Sequence, residues 1–494
     1  MINCCQNLTV ELNNNADESK NESNDDNIES NDDYNFADGK FQKAFGASMV
    51  RSEDPMLEKD EMRLIYLEMV KLKGKQYRLP DGPVGRRFVD ILTDEINKEV
   101  NGLQQSDVEF VFTALVLQRD KSVKKGRDVK RLILSRLKLW EDGHHKVLLE
   151  QAKRCDRQFG TLTKNLDDEH IHRIFNRLIL RGRVREAKRL ITETGGNGGG
   201  VLNPNDMAFD KNGQTNKTVF EVFKEKHPEP RDNVEDAFME CENLPVLEDV
   251  EVTEEHVKKV AHMIRGSAGP SGTDLENWSN FLLRYGDHSK RLREAIAASI
   301  RRHANEVVEW NDIWAFLSRR GIALDKSPGV RPIGIGEVRQ RIEAKVMVMI
   351  TGIDLQEKYG ADNLCVGTKA GIEGAIHAMA TVMDADETEG MLLVDAKNAF
   401  NALCREATLW NCRVIWPRCS RFIFNMYRGY PRIFVQGSDD ILLSKEGTTQ
   451  GDPLGMDIFG VGVFPLVKKL KKPEVRKQNW YADDSGCGGK LLAI

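Results

Sequence analysis

The sequence predicts an α+β fold that follows an all-helical region and an acidic amino-terminal tail. Beyond Val250, segments with helical periodicity alternate with short runs typical of strands. From Glu61 to about Leu190 the apolar residues recur at spacings of three and four, as in amphipathic helices. The first 50 residues are polar and acidic instead. The chain of 494 residues therefore divides into regions of different structure, and its length suits about three domains.

The amino-terminal tail is the most acidic part of the chain. Residues 1–50 hold ten acidic residues and three lysines, a net charge of −7, whereas the whole chain carries −5. The remainder is therefore mildly basic, at +2. The tail has few large apolar residues, so it cannot bury enough surface to offset the entropy lost on ordering. We expect residues 1–52 to be a disordered acidic tail.

Residues 53–194 are expected to form a helical, basic region. Two runs within it are rich in positive charge: Lys121 to Lys138 has eight basic residues and one acid, and Arg173 to Arg189 has seven and one. Such runs suit the phosphates of a nucleic acid. Each is also typical of a solvated helix face, so both interpretations stay open.

A loop or linker is predicted for residues 195–249, because turn-forming residues dominate this stretch. Five of the six residues at 195–200 are glycine, but they do not have the pattern of a phosphate-binding P-loop. Thr253 then favours an N-cap for a helix that runs to Arg265. A second helix is expected from Lys290 to His303.

Three later segments contain residues suited to chemistry. In the first, the apolar run Met391–Val394 ends in Asp395, which predicts a buried strand with a carboxylate at its tip. Asn401 follows and is expected to cap the next helix.

The second segment, from Gly447 to Pro453, has the sequence Gly-Thr-Thr-Gln-Gly-Asp-Pro. Asp452 is a suitable N-cap for the following helix, and Pro453 is a suitable first helical residue. Glycines in such a loop allow the main chain to approach a ligand closely. An ordinary capped helix is the alternative.

The third segment runs from Asn479 to Asp484. Its aromatic residues favour a strand, and the adjacent Asp483 and Asp484 favour a tight turn. Two neighbouring carboxylates placed beside a third repel one another and need a cation. Magnesium suits such a site, because it prefers oxygen ligands and keeps substrate phosphates in its shell. An isolated Asp-Asp pair is more often a surface turn.

Together these three segments resemble, in their order, the palm motifs of reverse transcriptases. Ser327–Ile333 is similar to the fingers hairpin of that family, and Ala268–Asp274 resembles the loop that precedes it in retrotransposon enzymes. The resemblance covers about half of the chain, from about Val250 onward. It implies a right-hand polymerase fold with a fingers-like region at residues 250–384 and a palm at residues 385–494.

The resemblance also implies an activity, RNA-directed DNA polymerisation by two-metal nucleotidyl transfer. Asp395 and Asp483 would hold two Mg²⁺ ions about 3.5 to 4 Å apart, with Mn²⁺ as the alternative metal. Asp484 would assist, and the Ala396 carbonyl would add a ligand. The partners implied are an RNA or DNA template with its primer, and deoxynucleoside triphosphates.

Substrate contacts follow from the same resemblance. Phe400 would lie beneath the sugar and clash with a ribose 2′-hydroxyl, which favours deoxynucleotides, although a core phenylalanine is the alternative. Gln450 and Gly451 would line the pocket near the incoming base and the template. Arg331, with Lys326 as the weaker candidate, would neutralise the triphosphate.

Further contacts with nucleic acid are expected around this pocket. A hairpin predicted between Arg432 and Ser444 would touch the strands. Three basic residues could track template phosphates or lie on a solvated helix face: Arg339, Arg341 and Lys345. Tryptophans 410, 416 and 480 could stack on bases, but buried packing is the favoured interpretation.

The sequence departs from the family pattern at its end. Only ten residues follow Asp484, so the thumb of the family is missing and the chain is expected to be truncated. Glycines at 486, 488 and 489 predict a weak return strand for the catalytic hairpin. Two alternative functions stay open. One is an inactive retroelement remnant that only binds nucleic acid, and the other is a viral-type RNA polymerase, which Phe400 disfavours.

Composition gives an expectation for location. The amino terminus is polar and no apolar run nears the roughly 20 residues of a membrane span, so we expect an intracellular protein, nuclear or cytoplasmic, without a membrane partner. The nine cysteines include no C-x-x-C pair, which disfavours a disulfide framework or a structural zinc site. The oligomeric state is left open.

Overall fold

The computed structural model describes most of the chain after the first 31 residues. The described residues are 32–51, 60–72, 74–158, 168–184, 187–188, 190, 200–211, 213–231, 235–326, 328–360, 370–471 and 475–492. They form a mixed α and β structure with small sheets, which agrees with the predicted class. Among these residues, none of the helices combines the length and apolar character that a bilayer crossing requires.

The first part of the described chain is helical, as predicted from its periodicity. Its helices are α1 (Asp32–Phe45), α2 (Glu61–Met69), α3 (Pro83–Val100), α4 (Asp107–Leu117), α5 (Gly126–Glu141), α6 (His145–Arg157) and α7 (Asp168–Leu180). Helix α4 is apolar on all sides and lies in the core, since ten of its eleven residues are buried.

Helix α1 falls in the segment predicted to be disordered. Ala37 and Phe41 expose no surface, and the ring of Phe45 stacks on Phe424 at 4.3 Å between centroids. The prediction of a disordered tail was therefore wrong for residues 32–51, whereas residues 1–31 lie outside the described residues. The acidic composition of the whole tail hid a short apolar stripe that one helix can bury.

The segment predicted to be a linker also contains regular structure. Strands β1 (Met207–Asp210) and β2 (Gly213–Thr218) form a hairpin, and helix α8 (Val219–Glu225) follows. Thr218 and Glu221 form a capping box at the start of α8. Phe223 of α8 is fully buried, so part of residues 195–249 packs on the rest of the chain.

The remaining helices cover much of the second half. They are α9 (Glu254–Met263), α10 (Leu275–Leu283), α11 (Asp287–Asn305), α12 (Trp310–Leu317), α13 (Val338–Tyr359), α14 (Gly371–Met383), α15 (Ala399–Ala402), α16 (Arg405–Ile415), α17 (Pro417–Tyr427) and α18 (Gly455–Leu470). Thr253 caps α9 as predicted, although α9 ends two residues before Arg265. Helix α11 confirms the helix expected from Lys290 to His303 and is longer at both ends.

The strands of the second half belong to two sheets. They are β3 (Arg319–Asp325), β4 (Val330–Gly336), β5 (Gly390–Asp395), β6 (Arg432–Val435), β7 (Ile441–Leu443), β8 (Val475–Tyr481) and β9 (Asp484–Gly489). The first sheet has the order β4-β3-β6-β7, with β3 and β6 parallel. The second has the order β5-β9-β8 and is antiparallel. Both predicted hairpins, β3–β4 and β6–β7, are present.

One continuous core joins the amino-terminal helices to the second half of the chain. At its centre Arg339 of α13 exposes no surface and bonds Glu99 of α3, Glu109 of α4 and Glu343 of its own helix. His303 of α11 contacts the same Glu343 at 2.8 Å. The amino-terminal helices are therefore joined to α13 by buried charges as well as by apolar packing.

Candidate active site

Three aspartates meet at one end of the sheet β5-β9-β8. Asp395, the last residue of β5, lies directly opposite Asp484, the first residue of β9. Asp483 occupies the two-residue turn between β8 and β9, where Ala482 has a left-handed backbone with φ of 55°. The Ala396 N–H donates to the Asp483 carbonyl at 3.0 Å, which fixes the turn beside the end of β5. We call Asp395, Asp483 and Asp484 the acidic cluster.

The members of the acidic cluster influence one another electrostatically. Partial burial raises the pKa of Asp484, and the carboxylates of Asp483 and Asp395 raise it further. Asp395 and Asp484 are exposed, so a solvated cation can reach them. Repulsion among these three negatively charged carboxylates favours binding of a cation between them.

A divalent ion fits the donor set of the acidic cluster. The described residues contain no group of three His, Cys, Asp or Glu side chains already arranged around one metal position. Magnesium does not need such a cage, because it keeps several waters and binds through one or two carboxylates together with substrate phosphates. Asp395, Asp483 and Asp484 supply hard oxygen ligands of that kind, and Ala396 brings its main chain to the same place.

The glycines of β9 were predicted to give a weak strand, but β9 forms a regular strand in the structure. Strand β9 is the central strand of its sheet and pairs with both β5 and β8. A Cβ atom at Gly488 would lie 2.6 Å from Val382 Cγ1 of α14, so glycine is what allows the helix to cross the strand closely.

The burial predicted for β5 was wrong, although the strand and its terminal Asp395 are where they were expected. Leu392, Leu393 and Val394 are exposed among the described residues, and Leu393 retains 72% of its accessible surface. Helix α14 packs on β8 and β9, the other two strands of the sheet. The run of apolar residues indicates a strand, but it does not show which element covers it.

The glycine-rich loop after Gly447 fits between two other parts of the site. The Thr448 N–H donates to the Phe400 carbonyl at 2.7 Å, on the side of β5. On the other side the Gln450 carbonyl accepts the Gly334 N–H of β4 at 2.9 Å. A Cβ atom at Gly447 would lie 2.1 Å from the Phe400 carbonyl oxygen, so a side chain cannot be accommodated there.

Phe400 lies five residues after Asp395 in sequence and packs against helix α18. Its ring packs on Phe459 of α18 at 4.7 Å between centroids, and it is half-buried. The predicted cap at Asn401 was wrong: Asn401 lies within the short helix α15, whose N-cap is Asn398 with a left-handed backbone. The next helix, α16, has Cys404 as its N-cap. Asn401 instead donates to the Lys226 carbonyl at 2.9 Å.

Asp452 is not the N-cap that the sequence indicated. Helix α18 begins at Gly455, and Leu454 is its N-cap. The Asp452 carboxylate is buried, where it accepts hydrogen bonds from Arg319 of β3 at 2.8 Å and from Gln340 of α13 at 3.2 Å. Its other oxygen accepts the Leu454 N–H at 2.9 Å. The buried guanidinium of Arg319 binds the carboxylate that would otherwise cap the helix, and the local sequence around Asp452 does not indicate this partner.

Arg405 organises the chain that leads into the glycine-rich loop, and sequence reasoning did not identify it. Its buried guanidinium donates to the carbonyl of Gly447 and to two carbonyls upstream, those of Ser444 and Glu446. The main-chain N–H of Arg405 donates to the Glu446 carboxylate at 2.7 Å. An arginine beside a glycine-rich segment is a weak sequence signal, because nothing local indicates that it is buried.

Positive charge gathers around Lys226 at the tip of the β3–β4 hairpin, where Lys326, Arg331 and Lys397 all influence its ammonium group. Arg331 and Lys326 are exposed there. Lys397, two residues after Asp395, is also exposed. Lys226 of the supposed linker donates to the Val330 carbonyl at 2.6 Å. We call Lys226, Lys326, Arg331 and Lys397 the cationic cluster; the sequence analysis identified only Arg331 and Lys326.

Other basic residues proposed to meet nucleic acid have different positions. Arg339 and Arg341 are buried, the former among glutamates and the latter bonded to the Ser267 carbonyl, so neither can track a phosphate. Lys345 is exposed on α13. Trp410 and Trp416 are buried and donate to main-chain carbonyls, which confirms packing as their role.

The first basic run is mostly accessible. Six of its eight basic residues are exposed: Lys124, Lys125, Arg127, Lys130, Arg131 and Lys138. Arg136 is instead buried and donates to the carbonyls of Val116 and Gln118. In the second run Arg173, Arg177, Arg181 and Arg183 are exposed, whereas Arg185 and Arg189 lie outside the described residues.

A large cleft lies apart from the acidic cluster. It has a volume of about 1750 Å³ and runs between α2, the β6–β7 hairpin and the loop that contains Gly269. Basic residues line it, among them Lys75, Arg119 and Lys124, together with Asp439 and Asp440 of the hairpin turn.

Neither a protein-family model nor a curated protein sequence matches this chain.

Proposed function

We propose that this chain is an RNA-directed DNA polymerase of a retroelement, with residues 250–384 acting as fingers and residues 385–494 as palm. The observation that carries the proposal is the register that sets Asp395 opposite Asp484, with Asp483 in the adjoining turn. A glycine-rich loop in contact with Phe400 supports the same assignment. So does the cationic cluster, of which Lys397 follows Asp395 by two residues.

In the proposed reaction the chain acts mainly by binding and positioning. Asp395, Asp483 and Asp484 would hold Mg²⁺, with the main chain of Ala396 beside them; the ions, once bound, would activate the primer hydroxyl and neutralise the phosphates. Arg331 and Lys326 would hold the triphosphate by charge-assisted hydrogen bonds. Phe400 would lie beneath the deoxyribose.

The glycine-rich loop would position the nucleotide. Gln450 and Gly451 would line the pocket, and the hydrogen bond between the Gln450 carbonyl and Gly334 connects that pocket to the hairpin that carries Arg331. The template would cross the exposed basic residues of α5 and the cleft that Lys124 lines. The primer, the template and deoxynucleotides would be the partners.

The test is primer extension by the full chain on an RNA template at low salt with Mg²⁺. We expect Asp395→Asn to lower the rate at least about 100-fold, since even outer-shell changes at metal sites can cost that much. Asp386→Asn removes an exposed acid outside the cluster and should leave the rate unchanged. Equal rates in wild type and Asp395→Asn would overturn the proposal.

A second measurement separates the alternatives. Mn²⁺ binding, followed by electron paramagnetic resonance, should weaken in Asp395→Asn and persist in Asp386→Asn. A chain that binds RNA but shows neither extension nor this change in Mn²⁺ binding is the inactive remnant. Faster incorporation of ribonucleotides than of deoxynucleotides would indicate an RNA polymerase instead.

A further inference from the structure

Lys226 connects two parts of the proposed active site that are far apart in sequence. Its ammonium donates to the Val330 carbonyl in the β3–β4 hairpin at 2.6 Å. Its own carbonyl accepts hydrogen bonds from Asn398 at 3.1 Å and from Asn401 at 2.9 Å, just after β5. A residue from the segment between α8 and α9 therefore lies between the β3–β4 hairpin and the start of α15, the helix that follows β5.

In the described part of the chain, none of Lys226, Lys326, Arg331 and Lys397 pairs with a carboxylate. Burial lowers the pKa of Lys226, and the charges of Lys326, Lys397 and Arg331 lower it further. Gathering cations around a half-buried ammonium is unfavourable unless an anion binds among them.

We propose that Lys226 is a phosphate-binding residue that completes, with the rest of the cationic cluster, a site for the triphosphate of the incoming nucleotide. This inference rests on the proposed function. One of the three ammonium donors of Lys226 is used by Val330, which leaves two for phosphate oxygens.

The density of charge favours a triphosphate over a nucleic-acid backbone. A triphosphate concentrates several negative charges on three linked groups, whereas a backbone carries one charge per phosphate. Lys397 follows Asp395 by two residues, so a phosphate held by Lys397 would lie close to Mg²⁺ bound by Asp395. The hydrogen bonds of Lys226 to Val330 on one side and to Asn398 and Asn401 on the other would keep its ammonium group in place.

The experiment is a titration of the full chain with Mg²⁺-tripolyphosphate, followed by calorimetry. Lys226→Gln retains an N–H donor for Val330 but removes the charge, and we expect at least about tenfold weaker binding. Lys226→Arg should restore binding to within about threefold of wild type. The matched control is Lys224→Gln, which removes an exposed lysine of α8 and should have no effect. Thermal unfolding of each variant verifies the fold.

The outcomes separate the two proposals. Equal weakening by Lys226→Gln and Lys224→Gln, no weakening by either, or no binding by wild type would overturn the inference. Weakening by Lys226→Gln with failure of Lys226→Arg to restore binding would assign Lys226 a structural role and also count against it. Binding that depends on Lys226 in a chain that never extends a primer would leave the inference standing while the polymerase proposal fails.

Discussion

Arg319 and Asp452 form an ion pair of 2.8 Å in which neither side chain exposes any surface. Arg319 begins β3 and Asp452 ends the glycine-rich loop, so the pair holds the loop against the sheet that carries the hairpin. Gln340 of α13 bonds to both side chains. The position of Gln450 and Gly451 thus depends on a buried charge pair.

Breaking this pair should destabilise the protein strongly. Asp452→Ala leaves the Arg319 charge buried without its partner, and we expect the free energy of unfolding to fall by about 3 to 5 kcal/mol. Urea denaturation measures the change. Glu141→Ala is the control, because it breaks the exposed pair with Arg87 and should cost less than about 1 kcal/mol. The two variants having equal effects would contradict the assignment.

Phe400 should control the choice of sugar. Phe400→Val removes the ring that would meet a 2′-hydroxyl, so the ratio of kcat/KM for ribonucleotides to that for deoxynucleotides should rise at least about tenfold, or about 1.4 kcal/mol. Single-nucleotide extension measures the ratio. Phe459→Leu removes the ring in contact with Phe400 and should change it far less. A ratio unchanged by Phe400→Val would indicate that Phe400 only packs.

Glu337 should make stability depend on pH. Burial raises its pKa to about 7, although hydrogen bonds from Ser271 oppose the rise. Because the folded-state pKa exceeds the unfolded one, the folded state binds more protons between about pH 4.5 and 7, and stability falls as pH rises through that window. The loss from this group should be on the order of 1 to 3 kcal/mol.

The test compares wild type with Glu337→Gln by urea denaturation at pH 5 and pH 8. Glutamine can keep both contacts with Ser271 and carries no charge at either pH. We expect the variant to gain stability relative to wild type as the pH rises. Parallel pH profiles would show that Glu337 does not titrate in this window, and Glu276→Gln serves as the exposed control.

The exposed basic residues at the start of α5 and just before it should contribute to RNA binding. Replacing Lys124, Lys125, Arg127 and Lys130 with glutamine should weaken binding and flatten its dependence on salt, by about 0.7 in the log-log slope for each lost contact with a single strand. Fluorescence anisotropy at several salt concentrations measures both. Affinity that is insensitive to salt, or unchanged in the variant, would exclude these residues from the interface.

The sequence predicted those parts of the fold that depend on local patterns. A helix was expected where α11 lies, the cap at Thr253 identified α9, and turn residues identified the β6–β7 hairpin. The β3–β4 hairpin was expected from the resemblance of Ser327–Ile333 to a family hairpin. Asp395 was correctly expected at the tip of a strand. The resemblance of the motifs to those of reverse transcriptases led to the acidic cluster, whose members are brought together by the pairing of β5 with the β8–β9 hairpin.

The rest depends on contacts between distant residues. Asp452 has the composition of an N-cap, but Arg319, 133 residues away, uses its carboxylate. Lys226 lies in a stretch dominated by turn formers, and only the fold brings it to Val330. The average acidity of the tail concealed α1, since a few phenylalanines at the right spacing suffice to anchor a helix.

Arg339 has a consequence for any attempt to dissect the chain. Two of its three glutamate partners, Glu99 and Glu109, belong to the amino-terminal helices. In a fragment that starts after residue 250, the buried guanidinium of Arg339 would keep only Glu343 as an ion-pair partner. The helices upstream are thus an integral component of the fold that follows residue 250, and recombinant fragments should retain them if that part of the chain is to fold.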